Sequence, residues 1–517
     1  MLTDQVAAHA RDEARLAVVD PSGSWTYADL ARASTRLARI LLTRPGPGAE
    51  AGTTVPDLAE ARVAVLCTPG HDFVVAVLAC WQAGGIAVPL HPGHPDAELD
   101  HVLSDAGVTF VVASMAHAEA AYRLATRHDL TLTIVPEGTG DAVIVPPGVP
   151  LPGIGADRRA MIVYTSGTTG RPKGAVHTHR SLAAMAEGMI AAWGWSSDDR
   201  ILLVLPLHHV HGIVNVSLCA LWAGAVCEAP GGFDAGHTWE RLGSGELTLF
   251  MAVPTVYRRL IAAWDDAGAE SDRRSAWSAG AAEARLMVSG SAALPVSTLE
   301  RWAEITGHVL LERYGMTELG MVLSNTLERR VPGHVGEPLP GVEVRLVDDE
   351  GAELDPRGAV AGELLVRGPQ VFAGYWGRPE DTAAAFVDGW FRTGDVAVHG
   401  DGDGGYRLLG RASVDFIKTG GEKVSALEIE EVYRTHPDVA DCAVVGVGDA
   451  DWGERVCMAL VVRLASSAAV PPSEDLRAWG KQRMAAYKVP SRFAVVDDLP
   501  RNALGKVVKA QVTPLFE

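Results

Sequence analysis

Between Ala61 and Ser114 the chain alternates short apolar runs with helix-length ones, and this rhythm narrows its possible folds more than any other feature. "ARVAVLCTP" reads as a strand and "HDFVVAVLACWQAGG" as a helix ended by glycine. "IAVPL" reads as a strand, "AELDHVLSDAG" as a helix and "VTFVVAS" as a strand. Strand–helix–strand repetition predicts parallel sheets covered by helices on both faces, an α/β class with doubly wound sheets. A length of 517 residues leaves room for roughly three domain-sized units.

Near residue 410 the pattern changes. "GYRLLGR" closes a region of short β segments, and "ALEIEEVYRTHPDVADCAVVGV" opens a helix-then-strand pattern. The expected division is a large N-terminal domain, 1–410, with doubly wound sheets plus a β-rich part, and a small α+β domain, 411–517. The Gly/Pro-rich segments "RPGPGAEAGTTVP" and "VPPGVPLPGIG" read as surface connections.

Two long uncharged stretches invite a membrane reading. Phe73 to Leu90 is broken by Gln82, Gly84-Gly85 and Pro89, and Ile201 to Cys227 by Pro206, three histidines and Gly212. A helix–turn–strand and a strand–loop–helix explain them better than spanning helices do. The opening "MLTDQVAAHARDEARLAVVD" has acidic residues and no apolar core of a signal peptide, so a cytoplasmic protein with no membrane partner is expected. Net charge of -19 argues against a nucleic-acid partner but leaves local anion binding open. Cys67, Cys80, Cys219, Cys227, Cys442 and Cys457 sit mostly in apolar runs without a C-x-x-C pair, as buried reduced thiols would.

Ligands of open α/β sheets gather at the carboxyl ends of the strands. Four strand-like runs lead into chemically unusual loops: "RRAMIVY" into "YTSGTTGRPKG", "RILLVLP" into "LHHVHG", "ARLMVSG" into "SAALP", and "HVLLERYG" into "MTE". Together they favour one composite site. The first loop is not a Walker motif, because Gly167 and Gly170 are followed by Arg171-Pro172-Lys173-Gly174 and Pro172 removes a backbone donor. Its hydroxyls (Thr165, Ser166, Thr168, Thr169), its glycines and the point charge of Lys173 nevertheless suit a phosphate chain.

The motifs "YTSGTTGRPKG", "ERYGMTE", "WFRTGD", "GRASVDFIKTGGEKVSALEIE" and "PRNALGK", in this order, resemble the adenylate-forming superfamily of acyl-CoA synthetases, peptide-synthetase adenylation domains and luciferases. Within it, "LPLHHVHG", "VSGSAALP", "LERYGMTELGM" and "IKTGGEKVSALEIE" are most similar to malonyl-CoA synthetases, including methylmalonate-activating forms. The resemblance implies a two-step ligase using ATP, Mg2+ and CoA. A carboxylate attacks the α-phosphorus to give an acyl-adenylate and pyrophosphate, and a thiol then displaces AMP. Such chemistry asks for positioning and charge neutralisation.

It also implies roles. Lys506 is the adenylation lysine, Glu318 the magnesium ligand, Thr317 a contact of the α-phosphate, and Lys173 a contact of the β- and γ-phosphates. Gly290, Ser291 and Ala292 form the adenine-side wall. Glu312, Arg313, Tyr314 and Gly315 flank the nucleotide, with Tyr314 offering a stacking face. Asp395 binds the ribose hydroxyls, and Arg411 is a cation beside them. His209 shapes the acyl pocket, which Ser289 and Met316 also line. Gly420 and Gly421 line the pantetheine tunnel, and Ser413 is the hinge about which the small domain moves. Many family members have Asp or Lys at the hinge position, and Glu422 departs from the family's usual residues.

The cluster His208, His209 and His211 lacks the partner cysteine or H-E-x-x-H spacing of a zinc site. His177 and His179 read as the start of the following helix. Arg313 poses the substrate question. A cation beside the acyl pocket is wasted on a fatty acid, whereas a second carboxylate pairs with it through a bidentate fork, aided by His211. The alternative is an internal pair with Glu312 and a medium-chain or aryl monocarboxylic substrate. A stand-alone adenylation enzyme loading a carrier protein is a further alternative.

Overall fold

The computed structural model describes residues 1–44, 54–136, 148–165, 172–268, 272–400, 404–419, 422–449, 452–463, 471–502 and 505–516. Ser166, Gly167, Thr168, Thr169 and Gly170, and the tunnel pair Gly420 and Gly421, lie outside the described residues. The described residues form four sheets, of nine, seven, six and five strands.

The strand–helix rhythm builds the seven-stranded sheet. Arg62–Leu66, Ile86–Pro89, Phe110–Ala113 and Thr131–Ile134 are parallel, with helices His71–Gln82 and Asp96–Ala106 as crossovers. Arg159–Thr165 continues the parallel set. Lys173–Thr178 and Gly374–Tyr375 then close that edge in antiparallel pairing.

The nine-stranded sheet has a parallel centre: Leu311–Met316, Leu286–Ser289, Leu249–Ala252, Arg200–Leu202, Val226–Glu228 and Leu16–Asp20. Antiparallel strands border it on both sides. Four of its strands point their carboxyl ends toward the segments Leu207–Gly212, Gly290–Pro295 and Thr317–Glu318 and the first turn of helix Pro254–Asp266.

Helix His71–Gln82 is apolar around its whole circumference because both large sheets cover it. Phe73, Val75, Val77 and Trp81 share one core with Val63 and Met161 on one side and Leu202, Leu249 and Val288 on the other. Its apolar length therefore reflects a helix in the protein core. Among the described residues no helix is long and apolar enough to cross a membrane. The six cysteines are free and buried.

The six-stranded antiparallel sheet, including Trp390–His399 and Tyr406–Arg411, is the β-rich part of the large domain. The five-stranded sheet belongs to the small domain and carries its own core of Ile417, Ile429, Tyr433, Val444, Met458 and Leu476. Between them, Ala412 to Asp415 make a turn with Ser413 exposed at its surface.

Candidate active site

Strand Leu311–Met316 organises the site. Its neighbour Leu286–Ser289 runs parallel in a register that sets Ser289 opposite Glu312, so Gly290 follows beside Arg313. A Cβ on Gly290 would lie 2.4 Å from the Arg313 guanidinium carbon, so only glycine leaves room for this cation. Arg313 is buried, and its Nε and Nη2 find no hydrogen-bond partner among the described residues. Burial pulls its pKa down to about 9. The internal pair with Glu312 does not form. Successive strand residues face opposite ways, and the Glu312 carboxylate instead accepts the Gly333 N–H at 2.7 Å. Burial pushes the Glu312 carboxyl up to about 8.

His211 opens a π-helical stretch, His211–Leu218, of the kind often found at functional sites. Its Nδ1 lies 3.1 Å from Ser291 Oγ, while its Nε2 has no partner among the described residues. Burial, and then the neighbouring Arg313, hold it well below the ordinary histidine range and so neutral. Ser291 adopts a left-handed backbone with φ of 71°, a strained choice for a residue with a Cβ. Ser289 Oγ is also buried without a partner. Arg313, His211, Ser289, Gly290 and Ser291 are thus brought together around polar atoms that no group among the described residues satisfies.

Tyr314, one residue along, is buried on the other face. Its hydroxyl donates to Asp395 Oδ2 at 2.6 Å, and Arg411 Nε donates to Asp395 Oδ1 at 3.0 Å. Asp395 and Arg411 are direct cross-strand partners in the six-stranded sheet. Burial opposes the charge of Arg411, but the Asp395 carboxylate outweighs it and raises its pKa. The turn after Met316 carries Thr317 and Glu318. Glu318 Oε1 accepts the Tyr375 hydroxyl at 2.8 Å, and burial raises the Glu318 pKa against the opposing effect of that bond. Lys173 pairs with Asp381 at 2.9 Å and lies 5.3 Å from the centre of the Tyr375 ring.

His177 departs from the expectation of a helix start. It lies within strand Lys173–Thr178, and only His179 begins the helix His179–Trp193. His177 is fully buried, and its Nε2 lies 2.9 Å from the Thr317 carbonyl oxygen, which fixes the turn before Glu318. Its role carries no local signal, since the contact spans 140 residues. Tyr375 and Asp381 were missed for the same reason.

His208 and His209 pack ring on ring at 3.8 Å, and His208 also meets His91 at 4.6 Å and His94 at 4.8 Å. Burial drives His208 to about 2 and His209 to about 4, so both are neutral. Among the described residues no group of three His, Cys, Asp or Glu side chains is arranged to hold a metal ion. Ala292 and Gly315 sit on the loop and strand described, and Met316 Sδ lies 3.9 Å from the Tyr314 hydroxyl.

Lys506 is exposed on the small domain, within a turn closed by the bridge between Arg501 and Val507. Its N–H donates to Asn502 Oδ1 at 3.0 Å. Where the six-stranded sheet passes into this domain, Asp415 accepts the Arg411 N–H at 3.0 Å. Between the domains lies a cavity of about 850 Å³, lined by Leu203–Leu207, Thr255, Arg258 and the small-domain residues Arg501, Asn502 and Gly505. It adjoins the histidine cluster rather than Asp395 and Glu318.

Comparison with known proteins agrees with this arrangement. Residues 4–376 match the model of the AMP-binding enzyme family, and residues 428–506 match that of the AMP-binding enzyme C-terminal domain. A mouse protein named malonate–CoA ligase ACSF3, mitochondrial, is 46% identical over 523 residues, covering 96% of this chain and 88% of its own. The crystal structure of ATP-bound MatB from Rhodopseudomonas palustris superposes with a TM-score of 0.87 at 34% identity, covering 100% of this chain and 98% of its own. The apo form of the same protein, at 33% identity and equal coverage, gives 0.76. With both of its domains matched and a full-length fold in common, the chain belongs to the AMP-binding enzyme family of adenylate-forming acid–CoA ligases.

Proposed function

We propose that the protein is an ATP-dependent malonate–CoA ligase that activates malonate or methylmalonate as the acyl-adenylate and transfers the acyl group to CoA, releasing AMP and pyrophosphate. The observation that carries this reading is Arg313, a buried guanidinium with Nε and Nη2 unpartnered among the described residues beside a glycine that makes space for it. A buried cation without a counter-ion is costly, and a substrate carboxylate supplies both the charge and the two acceptors of a bidentate fork. His211 Nε2 and Ser289 Oγ offer further contacts to the same small acid.

In the first step an oxygen of the other carboxylate attacks the α-phosphorus, and the bond to pyrophosphate breaks. Lys506, delivered by the small domain, stabilises the charge on the attacking carboxylate and the pentavalent phosphorus. Thr317 holds the α-phosphate, and Asp395, oriented by Tyr314 and Arg411, accepts the ribose hydroxyls. Lys173 exchanges Asp381 for the outgoing phosphates. Glu318 is the residue that would hold Mg2+, and its buried carboxylate, aligned by Tyr375, is the oxygen donor a hard cation requires. The ion supplies neutralisation of charge on the phosphate oxygens. In the second step the CoA thiol attacks the acyl carbon and AMP leaves, after the small domain, 411–517, turns about Ser413. A cytoplasmic location belongs to the same proposal.

The test is a carboxylate panel in ATP–pyrophosphate exchange, with malonate, methylmalonate, butyrate, octanoate and benzoate. Exchange is expected with the malonates and not with the monocarboxylic acids. Faster exchange with octanoate or benzoate than with malonate overturns the assignment.

A further inference from the structure

We infer that the first turn of helix Pro254–Asp266 is a positioning platform for the adenylation lysine, engaged through Thr255 and Arg258 in the first half-reaction and released for the second. The inference rests on the proposed two-step reaction and adds residues to it that no motif marks. Thr255 and Arg258 are three apart and so share one face of the helix, and that face is turned to the small domain. Arg258 Nη1 reaches Asp441 Oδ2 at 2.7 Å across the domain boundary. Asp441 also pairs with Arg501, and with Arg434 at 3.5 Å. Arg501 Nη1 in turn donates to the Gly505 carbonyl at 2.7 Å. A continuous path of hydrogen bonds therefore runs from the large domain to the residue preceding Lys506.

Gly505 completes the fit. Its φ is +74°, and a Cβ on it would lie 2.3 Å from Thr255 Oγ1. The turn carrying Lys506 thus presses its backbone on the same helical turn that Arg258 ties to Asp441. A third contact keeps the orientation: Glu431 of the small domain accepts the Val296 N–H of the large one at 3.2 Å. Both platform residues line the cavity between the domains, so a swing of the small domain breaks these contacts. Catalytic positioning is sensitive on this scale, because a displacement of about 1 Å costs on the order of 100-fold in rate.

The electrostatics of Asp441 make the platform testable. Removing Arg258 leaves Asp441 paired with Arg434 and Arg501 inside its own domain, so the small domain keeps its internal ion pairs.

The experiment uses the full chain with Arg258→Ala and Arg258→Lys, and measures each half-reaction separately. ATP–pyrophosphate exchange with malonate reads the first, and thioester formation from supplied malonyl-adenylate and CoA reads the second. Arg258→Ala is expected to lower kcat for exchange about 10- to 100-fold with KM for ATP and malonate unchanged. Thioester formation should stay at the wild-type rate or rise, and Arg258→Lys should recover part of the exchange. Unchanged exchange, or equal losses in both half-reactions, overturns the inference. Thermal unfolding of both variants separates a folding defect from a positioning one, and an unfolded Arg258→Ala leaves the decision to Arg258→Lys by the same two readouts. If the wild type exchanges with another acid instead of malonate, the substrate assignment fails, and the split between half-reactions is measured with that acid.

Discussion

On the side of the cleft proposed for the nucleotide, Asp395 receives Tyr314 and Arg411, and Glu318 receives Tyr375. On the side proposed for the acid, Arg313, one residue before Tyr314 on the same strand, keeps polar atoms that no described protein group satisfies, as do His211 and Ser289. In the first region each carboxylate already has protein partners, which fix its orientation. The second has an electrostatic deficit that no group among the described residues removes. Preorganisation suits a nucleotide common to the whole family, whereas a deficit discriminates among acids, because an acid without a distal carboxylate leaves the buried cation unpaired.

If this contrast is correct, substitutions on the two sides affect activity and stability in opposite senses. The largest effect is expected for Arg313→Met. Malonate-dependent kcat/KM should fall about 10²- to 10³-fold. The Tm should hold or rise, since an apolar chain of similar volume replaces an unpaired buried cation. A parallel fall in Tm breaks the comparison.

A smaller, differently distributed effect is expected for Asp395→Asn. It strips Arg411 of its counter-ion and should cost about 2 kcal/mol of stability, the partial exposure of the pair moderating the loss. KM for ATP should rise about 10-fold, while equilibrium binding of malonate to the free protein stays at its wild-type strength. Chemical denaturation and calorimetric titration read the two quantities. The smallest effect on activity is expected at Glu312, whose folded pKa is raised to about 8. A carboxyl raised in the native state favours folding while protonated, and its contribution is lost as pH climbs from its unfolded value toward 8. Glu312→Gln should therefore flatten the fall in Tm between about pH 5 and about pH 8, with little change in kcat. An unaltered slope removes Glu312 from this account.

Much of this architecture was legible from the order of residues. The alternation from Ala61 onward read correctly as a parallel sheet. The strand ends at Ser289 and Arg313 are neighbours because parallel pairing of consecutive strands places them so. What escaped were partners far away in the chain. Tyr375 lies 57 residues from Glu318, Tyr314 lies 81 from Asp395, and Arg258 lies 183 from Asp441. Periodicity reports the face a residue occupies on its own element, and says nothing of which other element arrives there. The strand position of His177 escaped for a related reason: its pairing with Met161 is set by the sheet, not by the hydroxyls and basic residues around it.

The residues around the proposed nucleotide seat belong to three different sheets. Tyr314 comes from the nine-stranded sheet, Asp395 and Arg411 from the six-stranded one, and Tyr375 from the edge of the seven-stranded one. None of these sheets holds the seat by itself. During refolding, recovery of nucleotide binding should therefore lag behind the return of secondary structure and report the moment at which the last sheet docks. ATP analogues that bind this seam would act as folding ligands, drawing the equilibrium toward the assembled chain by mass action.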